Sequence, residues 1–122
     1  MGDIEASYIA YHDRYYYLYY NIGNCCQGPR STYHILIGRS RSIHGSYVNK
    51  EGSSLSIAQG SPVLWSIGAK IGPGHVGIYK DKHQEMLSFH LESNDAFHGW
   101  TTPTIEPMLY GKDGWPIASV SP

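Results

Sequence analysis

Residues 2–21 read GDIEASYIAYHDRYYYLYYN, and this run decides the fold. Tyr8-Ile9-Ala10-Tyr11 and Tyr15-Tyr16-Tyr17-Leu18-Tyr19-Tyr20 carry the aromatic and β-branched residues that suit a pleated, half-buried surface. His12-Asp13-Arg14 lies between them as a short polar turn, so the two segments read as neighbouring antiparallel strands. Glu5 stands just ahead of the first strand, and its position raises the question of which residues work with it.

The same rhythm continues downstream. A loop from Asn21 to Thr32 carries Gly23, Gly28 and Pro29, and Tyr33-His34-Ile35-Leu36-Ile37-Gly38 reads as a third strand. Gly45-Ser46-Tyr47-Val48 reads as a fourth, before a turn at Asn49-Lys50-Glu51-Gly52. A Ser/Gly-rich stretch follows, and then the plan repeats. The segments 75–79, 86–90, 104–109 and 115–120 read as strands, with turns at Lys80-Asp81-Lys82 and Lys112-Asp113-Gly114. No helix is expected. The pattern predicts an all-β chain of two four-stranded antiparallel β-propeller blades, residues 1–52 and 72–122, joined by a connection over 53–71. A small sandwich or barrel would use a similar number of short strands, and the pattern alone leaves that alternative open.

Composition narrows the function classes. A chain of 122 residues supports one modest core. Its formal net charge of −1 lacks the basic excess that nucleic acids select, so no nucleic-acid partner is expected. No apolar run approaches the length of a bilayer span, and no membrane partner is expected either. The opening residues have neither the basic nor the apolar region of a signal peptide. Cys25 and Cys26 are adjacent, so they cannot staple distant segments, and nothing in them demands an oxidising compartment.

Few residues are candidates for chemistry. A carboxylic acid such as Glu5 can protonate a glycosidic oxygen when its surroundings keep it protonated, although a glutamate so placed is more often simply solvated. His75, in Gly72-Pro73-Gly74-His75, follows glycines that permit close backbone approach, and its imidazole can ligate a metal, orient water or bond a neighbour. His75, His83, His90 and His98 are almost evenly spaced, unlike the close pairs of zinc ligands, and His83 falls in a turn. Cys25-Cys26-Gln27-Gly28-Pro29 reads as a tight loop with no base to activate a thiol. The tyrosines, with Trp65, Trp100 and Trp115, suit core packing or stacking on a sugar face.

Several motifs in register resemble the arabinanases of glycoside hydrolase family 43. They are Ile4-Glu5-Ala6, Tyr15-Tyr16-Tyr17-Leu18, Cys25-Cys26-Gln27-Gly28, Ser31-Thr32-Tyr33, Gly38-Arg39-Ser40 and Gly45-Ser46-Tyr47-Val48. Gly72-Pro73-Gly74-His75 and Asp113-Gly114-Trp115-Pro116 resemble the motifs that open and close that family's last blade. The likeness implies the fourth and fifth blades of a five-bladed propeller that cuts arabinose-containing plant polysaccharides with inversion. It implies that Glu5 is the general acid, and that Cys25, Cys26, Thr32 and Tyr33 lie near the sugar pocket. It also implies that His75 helps hold a central calcium ion through water.

The departures are specific. The family's base and orienting aspartates belong to blades that this chain does not match. Ser7 replaces a proline, Phe89-His90-Leu91 a Tyr-His pattern, and Tyr110-Gly111 a Trp-Asp pair. Two functions follow as expectations: an incomplete arabinan hydrolase, or a carbohydrate-binding or structural propeller fragment without catalysis. Both imply association, as a homo-oligomer or with a complementing propeller fragment, because isolated blades leave apolar flanks open.

Overall fold

The computed structural model describes residues 3–92 and 101–117 and contains antiparallel sheet in both halves. In the first half β1 (Glu5–His12), β2 (Tyr15–Ile22), β3 (His34–Ser40) and β4 (Ser61–Leu64) form a four-stranded sheet in chain order. In the second, β5 (Ile71–Asp81), β6 (Gln84–Glu92) and β7 (Thr101–Pro107) form a three-stranded sheet. The short strands β8 (Leu109–Tyr110) and β9 (Pro116–Ile117) pair with each other. No α-helix occurs among the described residues, and Gly28–Arg30 make a single 3-10 turn. These are propeller blades laid face to face.

Two strands differ from the sequence expectation. Gly45-Ser46-Tyr47-Val48 is not a strand; Val48 alone bridges Arg39 and Ser54. Gly45 turns the chain at φ +89, which breaks the extended run, and the fourth position beside β3 goes to Ser61–Leu64. Val63 and Leu64 are buried there, and Pro62, which has no amide hydrogen to give a ladder, is tolerated because the strand is last in the sheet. That strand falls inside the stretch 53–71. The expected closing strand from Trp115 is also shorter and pairs with β8 rather than β7; its residues 118–120 lie outside the described residues, as do His98 and Trp100.

The core lies between the two sheets. Alternation along β2 points Tyr17 and Tyr19 inward, and along β3 Ile35 and Ile37, where they meet Val76, Leu87 and Phe89 of the second sheet. At the outer end the β8–β9 hairpin closes onto the first sheet. Tyr17 Oη donates to the Gly114 carbonyl at 2.5 Å, and the Arg39 guanidinium lies over the rings of Tyr15 and Trp115 at 4.0 and 4.3 Å. Arg39 also donates to the Asp113 carbonyl at 3.0 Å. The same end holds His12 Nδ1 against Glu85 Oε2 at 2.5 Å, with Tyr110 Oη donating to the other carboxylate oxygen at 3.0 Å.

At the inner end one amide joins the sheets. Asn21, fully buried, donates from Nδ2 to the carbonyls of His34 and Pro73 at 3.0 and 3.1 Å. Its Oδ1 accepts the His75 amide at 2.8 Å. An Asn21→Ala change leaves that amide and the Pro73 carbonyl without a partner in the interior. The expected loss is about 2–4 kcal/mol of unfolding free energy, since each stranded buried group costs about 1–3 kcal/mol. Urea denaturation checks it, and an unchanged midpoint would mean that the sheets are not joined through this side chain.

Candidate active site

The inner ends of β1 and β5 are bent by bulges, each with one extra residue on the bulged strand. In β1 the extra residue lies between the pairs Glu5↔Asn21 and Tyr8↔Tyr19, where Ala6 adopts φ +50. In β5 the register slips twice, between Ile71↔Glu92 and Gly74↔His90 and again before Gly77↔Ser88. Gly72 and His75, both at φ +59, take up those slips. A left-handed alanine or histidine costs roughly 1–2 kcal/mol, so these bends persist because the surrounding contacts impose them. The contacts start at Asn21, which faces Glu5 in the ladder and grips His75 through its main chain.

Glu5 is exposed at the head of β1, and Tyr33 holds it: the buried phenol donates to Glu5 Oε2 at 2.9 Å. Burial pushes the Tyr33 phenol up to about 12, helped by the hydrogen bond and charge of Glu5 and by the charge of Glu92. The hydroxyl therefore stays protonated, and a donor to Glu5, across the neutral range. His90 stacks nearly parallel to the Tyr33 ring, with centroids 6.2 Å apart. Burial lowers the His90 imidazole below the ordinary histidine range, with Glu92 opposing and His75 adding to the shift, so the ring is neutral at pH 7.

The loop leading to Tyr33 is tied down separately. Asn24 is clasped by Thr32, whose Oγ1 accepts the Asn24 amide at 2.9 Å and whose own amide donates to the Asn24 carbonyl at 3.0 Å. Ser31 Oγ lies 2.8 Å from that carbonyl and 2.5 Å from Oε2 of Glu92, a buried carboxylate at the end of β6. Oε1 of Glu92 has no hydrogen-bond partner among the described residues. Cys25 and Cys26 are bonded to each other as a vicinal disulfide, with Cys26 at φ +68. The pair is thus oxidised within its own loop; adjacency excludes a staple between distant segments, as the sequence implied, but not a bond between the two neighbours.

Of the residues singled out from the sequence, Glu5 and Tyr33 are in direct contact, and His75 joins them through Asn21. The His75 side chain is exposed. Thr32, Cys25 and Cys26 have the bonds just described, all within the loop. His83 sits in the turn after β5, at the opposite end of that strand from His75. Asn21, Ser31, His90 and Glu92 were not seen as site residues. An amide interrupting the apolar strand 15–22 was the available signal for Asn21, because a buried polar side chain in such a strand must have partners.

A pair of face-packed antiparallel sheets, with a tyrosine-held carboxylate at the bent inner end, fits two blades of a β-propeller. The family model "Glycosyl hydrolases family 43" matches residues 3–116, and the chain belongs to that family. It is 33% identical to the arabinan endo-1,5-alpha-L-arabinosidase B of Emericella nidulans, over 94% of this chain and 31% of that protein. It is 34% identical to an extracellular exo-alpha-(1->5)-L-arabinofuranosidase of Cellvibrio japonicus, over 94% of this chain and 33% of that protein. The solved alpha-L-arabinanase of Cellvibrio cellulosa, complexed with arabinohexaose, superposes with a TM-score of 0.87 at 31% identity. That match covers 93% of this chain and 36% of that one. The solved relatives are five-bladed propellers, and this chain spans about a third of their length.

Changing Glu5 to Gln removes the charge and the anionic acceptor facing Tyr33. The Tyr33 phenol is expected to titrate below its value of about 12 in that variant, followed by NMR of labelled tyrosine. The sign for stability follows from the raised value. Folding gains from Tyr33 below the ordinary tyrosine value of about 10 and loses that gain as the pH rises to about 12.

Proposed function

We propose that these residues form the acid-bearing part of an arabinan-cleaving glycoside hydrolase, with Glu5 as the general acid. The observation that carries this reading is the Glu5–Tyr33 pair at the joined inner ends of the two sheets. When it carries a proton, Glu5 gives it to the glycosidic oxygen as the bond to the anomeric carbon breaks. Water attacks the opposite face of that carbon, and a base about 6.5–9.5 Å from the acid takes its proton, which inverts the configuration.

Asp13, Asp81 and Asp113 lie in or beside turns at the strand ends away from Glu5, so they do not serve as that base. The resemblance assigns the base and the orienting aspartate to blades that this chain does not match, in keeping with its coverage of about a third of the relatives. The loop of Cys25, Cys26 and Thr32, ending at Tyr33, is the proposed sugar-facing wall. A vicinal disulfide suits the extracellular setting named for the Cellvibrio japonicus relative, and we assign this chain the same setting.

The fit of a calcium ion is partial. Calcium takes six to eight oxygen ligands, and no three His, Cys, Asp or Glu side chains group suitably among the described residues. The exposed His75 imidazole, on a main chain held by Asn21, offers one nitrogen to a metal-bound water, which is the role we propose for it. Calcium would supply a fixed positive charge at the hub, and the proton transfer from Glu5 does not run through it.

A second reading has its own observation. Ile9 and Tyr11 are exposed on the outer face of the first sheet, and Tyr79 and Ile105 on the second. Both faces ask for cover, from further blades or from copies of this chain closing a ring. Light scattering decides: a stable monomer removes self-assembly. The glycosidase reading is tested on linear arabinan. The chain alone is expected to be inactive, and adding a polypeptide that supplies the missing blades should restore turnover. Glu5→Gln should then lower the rate by about a hundredfold or more; equal rates would take Glu5 out of the mechanism.

A further inference from the structure

Gly72-Pro73-Gly74 meets the acid loop in a repeated pattern. Each glycine faces one residue from the entrance of β3 and one from β6. A Cβ built on Gly72 would lie 2.3 Å from Glu92 Oε2 and 2.7 Å from Ser31 Oγ. A Cβ built on Gly74 would lie 2.3 and 2.6 Å from Cε2 and Cδ2 of Tyr33, and 2.9 Å from His90 Nε2. Real side chains do not approach so closely. The Tyr33 ring and the His90 ring thus close over the bare face of Gly74, which explains why they are near-parallel yet 6.2 Å apart. Gly74 and His90 are paired across the ladder, between the two register slips of β5.

We propose that Gly74 is a positioning residue for the acid: its missing side chain is the space that lets Tyr33 lie against β5 with its hydroxyl on Glu5, and His90 closes that seat. Glu5 belongs to one sheet and the seat to the other, so the second blade sets the aim of a carboxylate that the first blade carries. This inference rests on the glycosidase reading only for its effect on rate. The seating of Tyr33 stands on the contacts themselves. Gly74 is not at positive φ, so the requirement for glycine here is space rather than backbone conformation.

The test is a cycle of Gly74→Ala and Tyr33→Phe in this chain, read first by NMR of the Glu5 carboxyl carbon at neutral pH. Each single variant is expected to move that signal, and the double variant no further than either, because both act through one hydroxyl. A Gly74→Ala signal at the wild-type position, or shifts that add in the double variant, would overturn the proposal. Stability gives a second measurement should Gly74→Ala fold poorly. A Tyr33→Ala background removes the two closest contacts and leaves His90 Nε2 at 2.9 Å, so Gly74→Ala should lower the melting temperature clearly less there than beside Tyr33. An equal drop in both backgrounds would show that methyl and ring do not compete for one space.

With the missing blades supplied, Gly74→Ala should reduce kcat at least tenfold with KM within about twofold, since the acid is misaimed rather than the sugar released. Coupled NMR signals in a protein that never cleaves arabinan would leave the positioning intact and sink the glycosidase reading. Cleavage that depends on Glu5 but ignores Gly74→Ala would do the reverse.

Discussion

A single buried amide organises the inner end of this molecule. Asn21 uses both Nδ2 hydrogens and its Oδ1, and every partner is main chain: His34 in its own sheet, Pro73 and His75 in the other. Main-chain partners make the link indifferent to side-chain motion. In a low-dielectric setting a satisfied amide specifies one arrangement of the two sheets, because any slip strands several polar groups at once. Glu5 faces Asn21 across the ladder, so the carboxylate takes its place from the same fixed point.

The bulges turn that fixed point into a site. Regular strands would send successive side chains to alternate faces and leave the strand ends straight. Extra residues at Ala6, Gly72 and His75 bend both inner strands where they meet. The bend brings the β3 entrance against β5, so that Tyr33 reaches Glu5 while Ser31 reaches Glu92. Positioning of the acid is thus shared between sheets, whereas the outer end, with Arg39, Trp115, Tyr17 and the His12–Glu85 pair, serves cohesion.

The sequence displays the strands well where packing writes them as alternation. The tyrosines of 15–20 and the apolar run of 33–38 announce β2 and β3 because those strands carry the core. It hides what depends on local backbone shape. Gly45 to Val48 has strand-forming residues but turns at Gly45, while Ser61–Leu64 pairs despite its proline. Left-handed Ala6 and His75 carry no residue signature, since glycine is the usual mark of such positions. The resemblance pointed to Glu5 and Tyr33 together, but their contact, and the Gly74 and His90 seat beneath it, emerge only when residues distant in the chain are brought side by side.

The proline in β4 has a consequence for how this chain meets its neighbours. That strand forms the free margin of the first sheet, and Pro62 withholds one of the few amide hydrogens that a passing extended segment would need. Ribbon-like growth from that border is discouraged, and the sticky surfaces left over are broad flats rather than raw backbone. Contact is steered toward stacking, which curves round and closes, and away from the sideways extension that builds fibres.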